Sequence, residues 1–349
     1  KTAYEIMPSL VGSEMCIRDR FMMAGKKVMR ISIIIINWNG KKWLETCLNS
    51  MVNQEISEDY EVIVVDNGSS DDSVKYARRE FPEVNVISLD RNLGFAGACN
   101  VGLNNAKGKH LVFVNNDTCA GKDWLKNLVQ AADQNPQFKI LCSIQQPGLK
   151  KDEVLTLDCF LRVDIIKSKP SDRIVETLFA SGGCFLLRRD WISHIGYLFD
   201  PSYFTFYEDT DLSLRSVLAG GKIGYVKDSV IWHYMGGSSN GYSRFWSNRM
   251  DTLNAFRSFQ KLFSKEKCKK IFLARILYLL FRLVKRPWTF RENMGMLAGF
   301  IDFLIYRKEF IKKDKKNGIK RTIDEDEFLR NLNYRPGIGW LLRRIVFQV

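Results

Sequence analysis

A chain of 349 residues with 46% hydrophobic and 26% charged content has room for one large core domain plus an appendage, and it is neither disordered nor collagen-like. The formal charge of +14 is lopsided: from Lys265 to Val349 there are 21 Lys/Arg against 9 Asp/Glu. A basic tail on a near-neutral body suits an anionic surface, either membrane headgroups or nucleic acid.

Lys1 to Phe21 fits badly with the rest of the chain. It lacks the apolar core and small-residue cleavage pattern of a signal peptide. It reads as a non-native segment, with Met22, Met23 or Met29 as the expected start. From Arg30 the pattern alternates strand and helix. Ile31 to Asn37 reads as a strand, Gly40 to Asn53 as a helix with Trp43, Leu44, Cys47, Leu48 and Met51 at helical spacing, and Tyr60 to Asp66 as a second strand. A helix opens at Asp71-Asp72-Ser73, a strand covers Val84 to Leu89, and a helix covers Ala96 to Asn105. The apolar run Leu111 to Val114 ends in Asn115-Asn116-Asp117, and a helix with Trp124, Leu125, Leu128 and Val129 on one face comes next. Strands separated by helices of this length predict a mostly parallel sheet covered on both faces.

Ile140 to Ser171 is polar and poorly periodic, and reads as a loop-rich insertion. Ile174 to Arg188 reads as a strand interrupted by Ser181-Gly182-Gly183, where a ligand or another backbone approaches closely. Lys222 to Lys227 and Ser229 to His233 read as two short strands. Beyond Gly241 the chain reads as helical and basic. Arg275 and Arg282 interrupt the apolar run Ile271 to Val284 on one helix face. This run is too short and too charged to span a bilayer, but suits a helix lying in the headgroup plane or packed on the domain. The expected division is a non-native segment over 1–21, an α/β domain over 30–249 and a basic helical region over 250–349. The eight cysteines show no C-x-x-C pair and no His at ligand spacing, which favours reduced thiols over a zinc site or a disulfide frame.

Three strands deliver an Asn or Asp to the same sheet edge: Asn37, Asp66 and Asn115 to Asp117. Ligands of open parallel sheets bind at the carboxyl ends of strands. A lone Asp there more often caps the next helix, but Asp117 has company. One carboxylate beside a diphosphate meets the needs of a magnesium-like cation. The glycines of Arg91 to Gly102 are not spaced G-x-G-x-x-G and come after the third strand, which argues against a dinucleotide fold. They still let a backbone approach an anion. Glu208-Asp209-Thr210-Asp211 crowds three acids before a helical run. The helix dipole explains one or two of them, and crowding with partial burial makes another a candidate proton acceptor. A solitary His such as His233 is more often structural than a ligand.

Taken in order, Ile36-Asn37-Trp38-Asn39-Gly40, Val65-Asp66-Asn67-Gly68-Ser69, Asn92 to Asn100, Asn115-Asn116-Asp117, Ser181-Gly182-Gly183 and Tyr207 to Leu212 followed by His233 resemble the family 2 glycosyltransferases. The likeness is to the rhamnosyltransferase-like branch that elongates bacterial surface polysaccharides, and it covers Arg30 to Arg249. It implies an α/β GT-A fold. It implies that Asn37, Asn39, Asp66, Asn92, Gly94, Asn115 and Asn116 hold a nucleotide sugar. It also implies that Asp117, with His233, holds Mg2+ or Mn2+, because Asn115 replaces the first acid of the family's D-x-D motif. Asp209 would be the general base, Glu208 and Asp211 would hold the helix start and acceptor, and Gly182 and Gly183 would line the acceptor side. Arg244 and Arg249 are placed to reach the diphosphate or to be surface charges.

The resulting expectation is an inverting enzyme that moves a sugar, rhamnose by the branch likeness, from a nucleoside diphosphate to a lipid-linked or glycan acceptor at the cytoplasmic membrane face, with no nucleic-acid partner. The alternative is a non-catalytic module that binds nucleic acid or an anionic surface through the basic tail. Against it, the tail has no RRM-type aromatic motif and the acid cluster repels phosphates. A dehydrogenase lacks its glycine fingerprint here, and a nucleotidyltransferase lacks a Gly-rich, Lys/Arg-bearing loop after the first strand.

Overall fold

The computed structural model describes residues 29–150, 152–234, 242–314 and 319–332. The expected non-native segment over 1–21 lies outside them, as do Met22 and Met23. A nine-stranded sheet organises the described chain, in the order β3-β2-β1-β4-β10-β6-β11-β5, with β9 also on β11. These strands are β1 (Ile31–Asn37), β2 (Tyr60–Asp66), β3 (Asn85–Ser88), β4 (His110–Asn115), β5 (Thr118–Ala120), β6 (Phe138–Gln146), β9 (Ile174–Thr177), β10 (Cys184–Arg188) and β11 (Lys222–His233). β1, β2, β3 and β4 are parallel to one another, as are β6 and β11, and β10 joins the two sets antiparallel to both β4 and β6. Six strands therefore run one way, and the mixed α/β sheet is mostly parallel.

Alternation along the strands assigns their residues to two cores. Ile33, Ile35, Val62, Val64 and Val112 pack on one face against α1 (Lys41–Val52), α2 (Ser73–Glu80) and α4 (Trp124–Gln134). Ile34, Ile36, Ile63, Val65 and Phe113 pack on the other against α3 (Gly94–Asn105), α6 (Glu208–Leu218) and α7 (Arg244–Leu262). Burial on both faces is why these strands read as continuous apolar runs. The short helix α5 (Ile192–Ile195) precedes α6.

The expected insertion over Ile140 to Ser171 is corrected by two elements. β6 runs through the sheet with Ile140, Leu141 and Cys142 fully buried, and β7 (Glu153–Leu157) pairs with β8 (Val163–Lys167) as a separate hairpin. The polar Ser143 is tolerated in β6 because it accepts from Trp124 Nε1 at 2.8 Å and pairs with Ser229 Oγ at 2.9 Å. The two strands expected over Lys222 to His233 are one strand, with a register shift between Val226 and Val230.

The basic region forms α8 (Lys265–Lys285), α9 (Phe290–Asp314) and α10 (Glu325–Arg330). α7 runs straight through residues 249 and 250, where the α/β domain was expected to end, and its Phe256 and Phe259 share the core of the sheet. Arg244 and Arg249 face this helical region. Arg249 Nε donates to Asp302 Oδ2 at 2.5 Å and Arg244 Nη1 to Glu292 Oε1 at 3.1 Å. Among the described residues, no helix is long and apolar enough to cross a membrane.

α6 is anchored by Asp211, which is 1% exposed. Arg215 Nε donates to its Oδ2 at 2.7 Å, Lys261 Nζ lies 3.3 Å from its Oδ1, and Ser258 Oγ donates to Oδ1 at 2.7 Å. Burial alone would raise this carboxyl, but Lys261 and Arg215 reverse that and hold it well below the usual carboxylate range. Arg215 is itself fully buried and donates to the carbonyls of Ile195, Tyr197 and Leu198. Replacing one member of such a pair strands the other charge, at a cost of about 3–5 kcal/mol. Asp211→Asn is therefore expected to lower urea-unfolding stability by that amount at neutral pH, and a loss under about 1 kcal/mol would show that the pair is not the anchor.

Candidate active site

Parallel pairing places the polar strand ends at one level: Asn37 is in register with Asp66, Asp66 with Ser88, and Ile36 with Asn115. Two further pairings bring distant segments to the same edge. β10 begins opposite Val114, so that Asn115 N donates to Gly183 O at 3.1 Å. The end of β11 pairs with β5, setting His233 opposite Thr118. The result is a cleft of about 320 Å³ above the strand ends.

Of the expected residues, Asn92, Gly94, Asn115, Asn116, Asp117, Gly182, Gly183, Glu208, Asp209 and His233 line this cleft. Asn37 and Asp66 do not. They lie beneath its floor, 0% and 1% exposed, in a chain that runs from Asn116 Nδ2 to Asn37 Oδ1 at 2.7 Å and from Asn37 Nδ2 to Asp66 Oδ2 at 2.8 Å. Asp66 also accepts from the amide and hydroxyl of Ser69. Both therefore shape the floor through Asn116 and the Ser69 turn. Asn39 lies outside the lining, where its side chain accepts from Ser70 N at 2.8 Å. Asp211, expected with the catalytic carboxylates, is turned instead into its ion pair with Arg215 and Lys261.

The loop that carries Asn92 and Gly94 is tied by Asn67. Asn67 Nδ2 donates to Asn92 Oδ1 at 2.9 Å, and its own Oδ1 accepts from Leu93 N at 2.8 Å. Gly94 has φ +75°, and a Cβ there would lie 2.2 Å from Phe204 O, so only glycine lets the two loops close on one another.

Asp209 lies at the first turn of α6, partly exposed to the cleft. It accepts from Gly182 N at 3.3 Å and Thr210 N at 2.7 Å. Burial pushes its carboxyl up to about 6, against the pull of those amides. Burial, and then the Asp209 charge, raise Glu208 well above the usual carboxylate range, and its Oε2 is buried without a hydrogen-bond partner among the described residues. Burial thus makes both carboxyls more basic than an exposed acid, and each charge opposes ionisation of the other.

Across the Ser181–Gly183 turn, His233 Nδ1 is 2.9 Å from Gln145 Oε1, while Nε2 is 3.3 Å from Asn115 Nδ2 and 3.2 Å from Asp117 Oδ1. These partners fit the tautomer with its proton on Nδ1. Nε2 and the carboxylate oxygen are then two acceptors facing one another, unless a proton or a cation sits between them. Two ligands that are cis on an octahedral cation lie about 3 Å apart when the bonds are about 2.1 Å, so the pair fits a divalent ion. Among the described residues no third His, Cys, Asp or Glu joins them. The remaining ligands of such an ion would come from phosphate and water.

Sequence reasoning missed the aromatic wall. Trp38, Phe95, Phe206 and Tyr242 line the cleft, and Tyr242 stacks on Trp246 at 4.3 Å. Trp38 lay inside a motif read for its asparagines. Tyr242 had no local signal. The loop before α6 holds Phe204, Phe206 and Tyr207 at φ +61°, +67° and +72°, and Asn254 of α7 secures it by donating to the carbonyls of Tyr203, Thr205 and Phe206.

Residues 32–196 match the family model for glycosyl transferase family 2. An uncharacterized glycosyltransferase of Bacillus subtilis, YfnE, is 34% identical over 119 residues, covering 33% of this chain and 30% of its own. A poly(ribitol-phosphate) beta-glucosyltransferase of Bacillus spizizenii is 35% identical over 112 residues, covering 31% of this chain and 18% of its own. The match thus spans a third or less of these relatives' lengths. Among solved structures, GalNAc-T7 with UDP, GalNAc and Mn2+ superimposes with a TM-score of 0.57 at 16% identity, covering 81% of this chain and 58% of that one. S. aureus TarS 1-349 in complex with UDP-GlcNAc gives 0.56 at 16% identity, covering 88% and 93%. At this identity the likeness shows the fold, which is that of GT-A glycosyltransferases. The family match and the relatives together support a glycosyltransferase.

Proposed function

We propose that the chain is an inverting glycosyltransferase that moves a sugar from a nucleoside diphosphate to a hydroxyl of a polymer or lipid-linked acceptor. One observation carries this reading: a basic carboxylate, Asp209, and the Asp117–His233 pair share a single cleft on either side of the Ser181–Gly183 turn. Asp209 takes the acceptor's hydroxyl proton while the oxygen bonds to the anomeric carbon. The bond from that carbon to the diphosphate breaks on the opposite face, so one in-line displacement inverts the centre. Glu208, which lines the same wall of the cleft, hydrogen-bonds the acceptor. Mg2+ or Mn2+, held by Asp117 and His233, supplies charge neutralisation at the leaving diphosphate when bound. Asn92, Gly94 and Asn116 contact the nucleotide, and Trp38, Phe206 and Tyr242 offer ring faces to base or sugar. The rhamnosyltransferase-like motifs support rhamnose as the transferred sugar, and the poly(ribitol-phosphate) transferase among the relatives supports a polymer acceptor.

The reading includes contact with the cytoplasmic face of the membrane through α8 and α9. Arg275 and Arg282 do not form the outer face expected of a helix in the headgroup plane, because both are buried. The outward residues are apolar: Leu280, Phe281 and Val284 on α8, Trp288 after it, and Ile305 on α9, with Val284 and Trp288 each 77% exposed. Exposed Lys285, Arg286, Arg291, Arg307 and Lys308 flank them. An apolar face rimmed by cations suits an anionic bilayer.

Asp209→Asn should lower kcat/KM by about a hundredfold or more while calorimetric nucleotide affinity stays near the wild-type value, and survival within roughly tenfold would remove Asp209 as the base. Because the base must be ionised, wild-type kcat/KM should climb with pH up to about 6 and then level off. Asp117→Ala or His233→Ala should erase the gain in nucleotide affinity that Mg2+ gives the wild type, and a wild-type affinity indifferent to Mg2+ would refute the metal role. Leu280→Ser with Val284→Ser and Trp288→Ala should leave the protein at the bottom of a flotation gradient with anionic vesicles, whereas flotation equal to wild type would refute membrane docking.

A further inference from the structure

Beside the cleft lies a second cavity of about 340 Å³, lined by Arg162, Arg275 and Arg282 together with Tyr207, Thr210 and Asp251. The first turn of α6 is the wall between the two. Glu208 and Asp209 line the cleft, Tyr207 and Thr210 line the cavity, and Phe206 lines both. A group in the cavity is therefore about one helix width, roughly 10 Å, from Asp209.

The three arginines are not equally engaged. Arg282 is committed, donating to Asn293 Oδ1 at 3.0 Å and to Glu292 Oε2 at 2.8 Å. Arg275 is 4% exposed, yet it is held by the Leu161 carbonyl at 3.2 Å and by the rings of Tyr207 and Phe259, at 5.8 and 5.5 Å, and its Nε is buried without a hydrogen-bond partner. Arg162 rests its guanidinium on Tyr278 at 4.2 Å. Among the described residues neither Arg162 nor Arg275 forms an ion pair. Among the described residues Asp251 is the one acid lining the cavity. Burial raises its carboxyl against the pull of Arg275 and Arg162, and the same two guanidiniums pull on the half-buried Asp158 nearby. Aromatic faces compensate a guanidinium less than a carboxylate does, and the unpartnered Nε of Arg275, beside the ring-stacked fork of Arg162, offers donors that match the oxygens of a tetrahedral anion.

We propose that this cavity binds a phosphate group of the acceptor, fixing it on one side of the first turn of α6 while a hydroxyl of the same molecule reaches Asp209 on the other. The assignment to the acceptor rests on the glycosyl-transfer reading. The binding itself does not, and the test uses no sugar donor.

Isothermal titration of the full chain with inorganic phosphate, with dimethyl phosphate, and with phosphatidylcholine vesicles containing phosphatidic acid separates a phosphate monoester, a polymer phosphodiester and a lipid phosphate. Wild type should bind at least one of them, with Arg162→Gln weakening that binding by about tenfold or more and Asp117→Ala leaving it within twofold. Arg162 is half-buried, so its variant keeps the test open should Arg275→Gln fail to fold. Binding that is equal in wild type and Arg162→Gln, binding lost only in Asp117→Ala, or no binding of any of the three probes would each overturn the proposal. Arginine-dependent binding without sugar transfer would instead count against the enzyme reading alone.

Discussion

The Asp211–Arg215 ion pair fixes the first turn of α6, and the cleft depends on that turn. Three acids sit within four residues, yet only Asp211 meets cations, from Arg215 and Lys261. It is ionised and structural. Glu208 and Asp209 point away from those cations into a partly dry cleft, where burial makes a carboxylate more basic. The sequence order Glu-Asp-Thr-Asp is thus divided by helical geometry: residues 208 and 209 face the cleft, and residue 211 faces the core. A proton acceptor can exist here because the neighbouring cations are already engaged by Asp211.

The turn is held under strain. Phe204, Phe206 and Tyr207 occupy the left-handed region, at about 1–3 kcal/mol each for side chains of this size. The Asn254 amide, the stacked Tyr242 and Trp246, and the close passage of Gly94 against Phe204 oppose that cost. The helix that supplies Asn254 belongs to the sheet's own core. Chain beyond residue 249 is therefore part of what shapes the cleft.

The strand ends were legible because buried parallel strands leave continuous apolar runs that stop at a polar residue, and the bounds Ile31–Asn37 and Tyr60–Asp66 follow directly from that. What a delivered side chain does was less legible. Asn37 and Asp66 arrive at the right level, but their polar atoms are spent on Asn116 and Ser69, and no spacing rule distinguishes a carboxylate aimed at a ligand from one aimed at a neighbouring amide. β6 was missed because Ser143 reads as exposed until its partners Trp124 and Ser229, both distant in sequence, are known. His233 had only its position at the end of an apolar strand. Its pairing across from Thr118 is what sets it beside Asp117.

α8 poses the same question of direction on a larger scale. At 100° per residue, Arg275 and Arg282 share one side, while Leu273, Leu277, Leu280 and Val284 lie opposite. The periodicity was plain in the sequence, but charge outward and charge inward produce the same periodicity. Packing chose inward: the arginines face Leu161, Glu292 and Asn293, and the leucines face out. A soluble helix would gain by the reverse arrangement, since burying a guanidinium is costly and exposing leucine forfeits its transfer energy. Glu292 already meets the charge of Arg282, and the remaining costs make sense together if Arg275 is kept for an anion and the exposed leucines for an apolar surface. One helix would then serve both ends of an amphipathic acceptor, its phosphate on the inner side and its lipid on the outer.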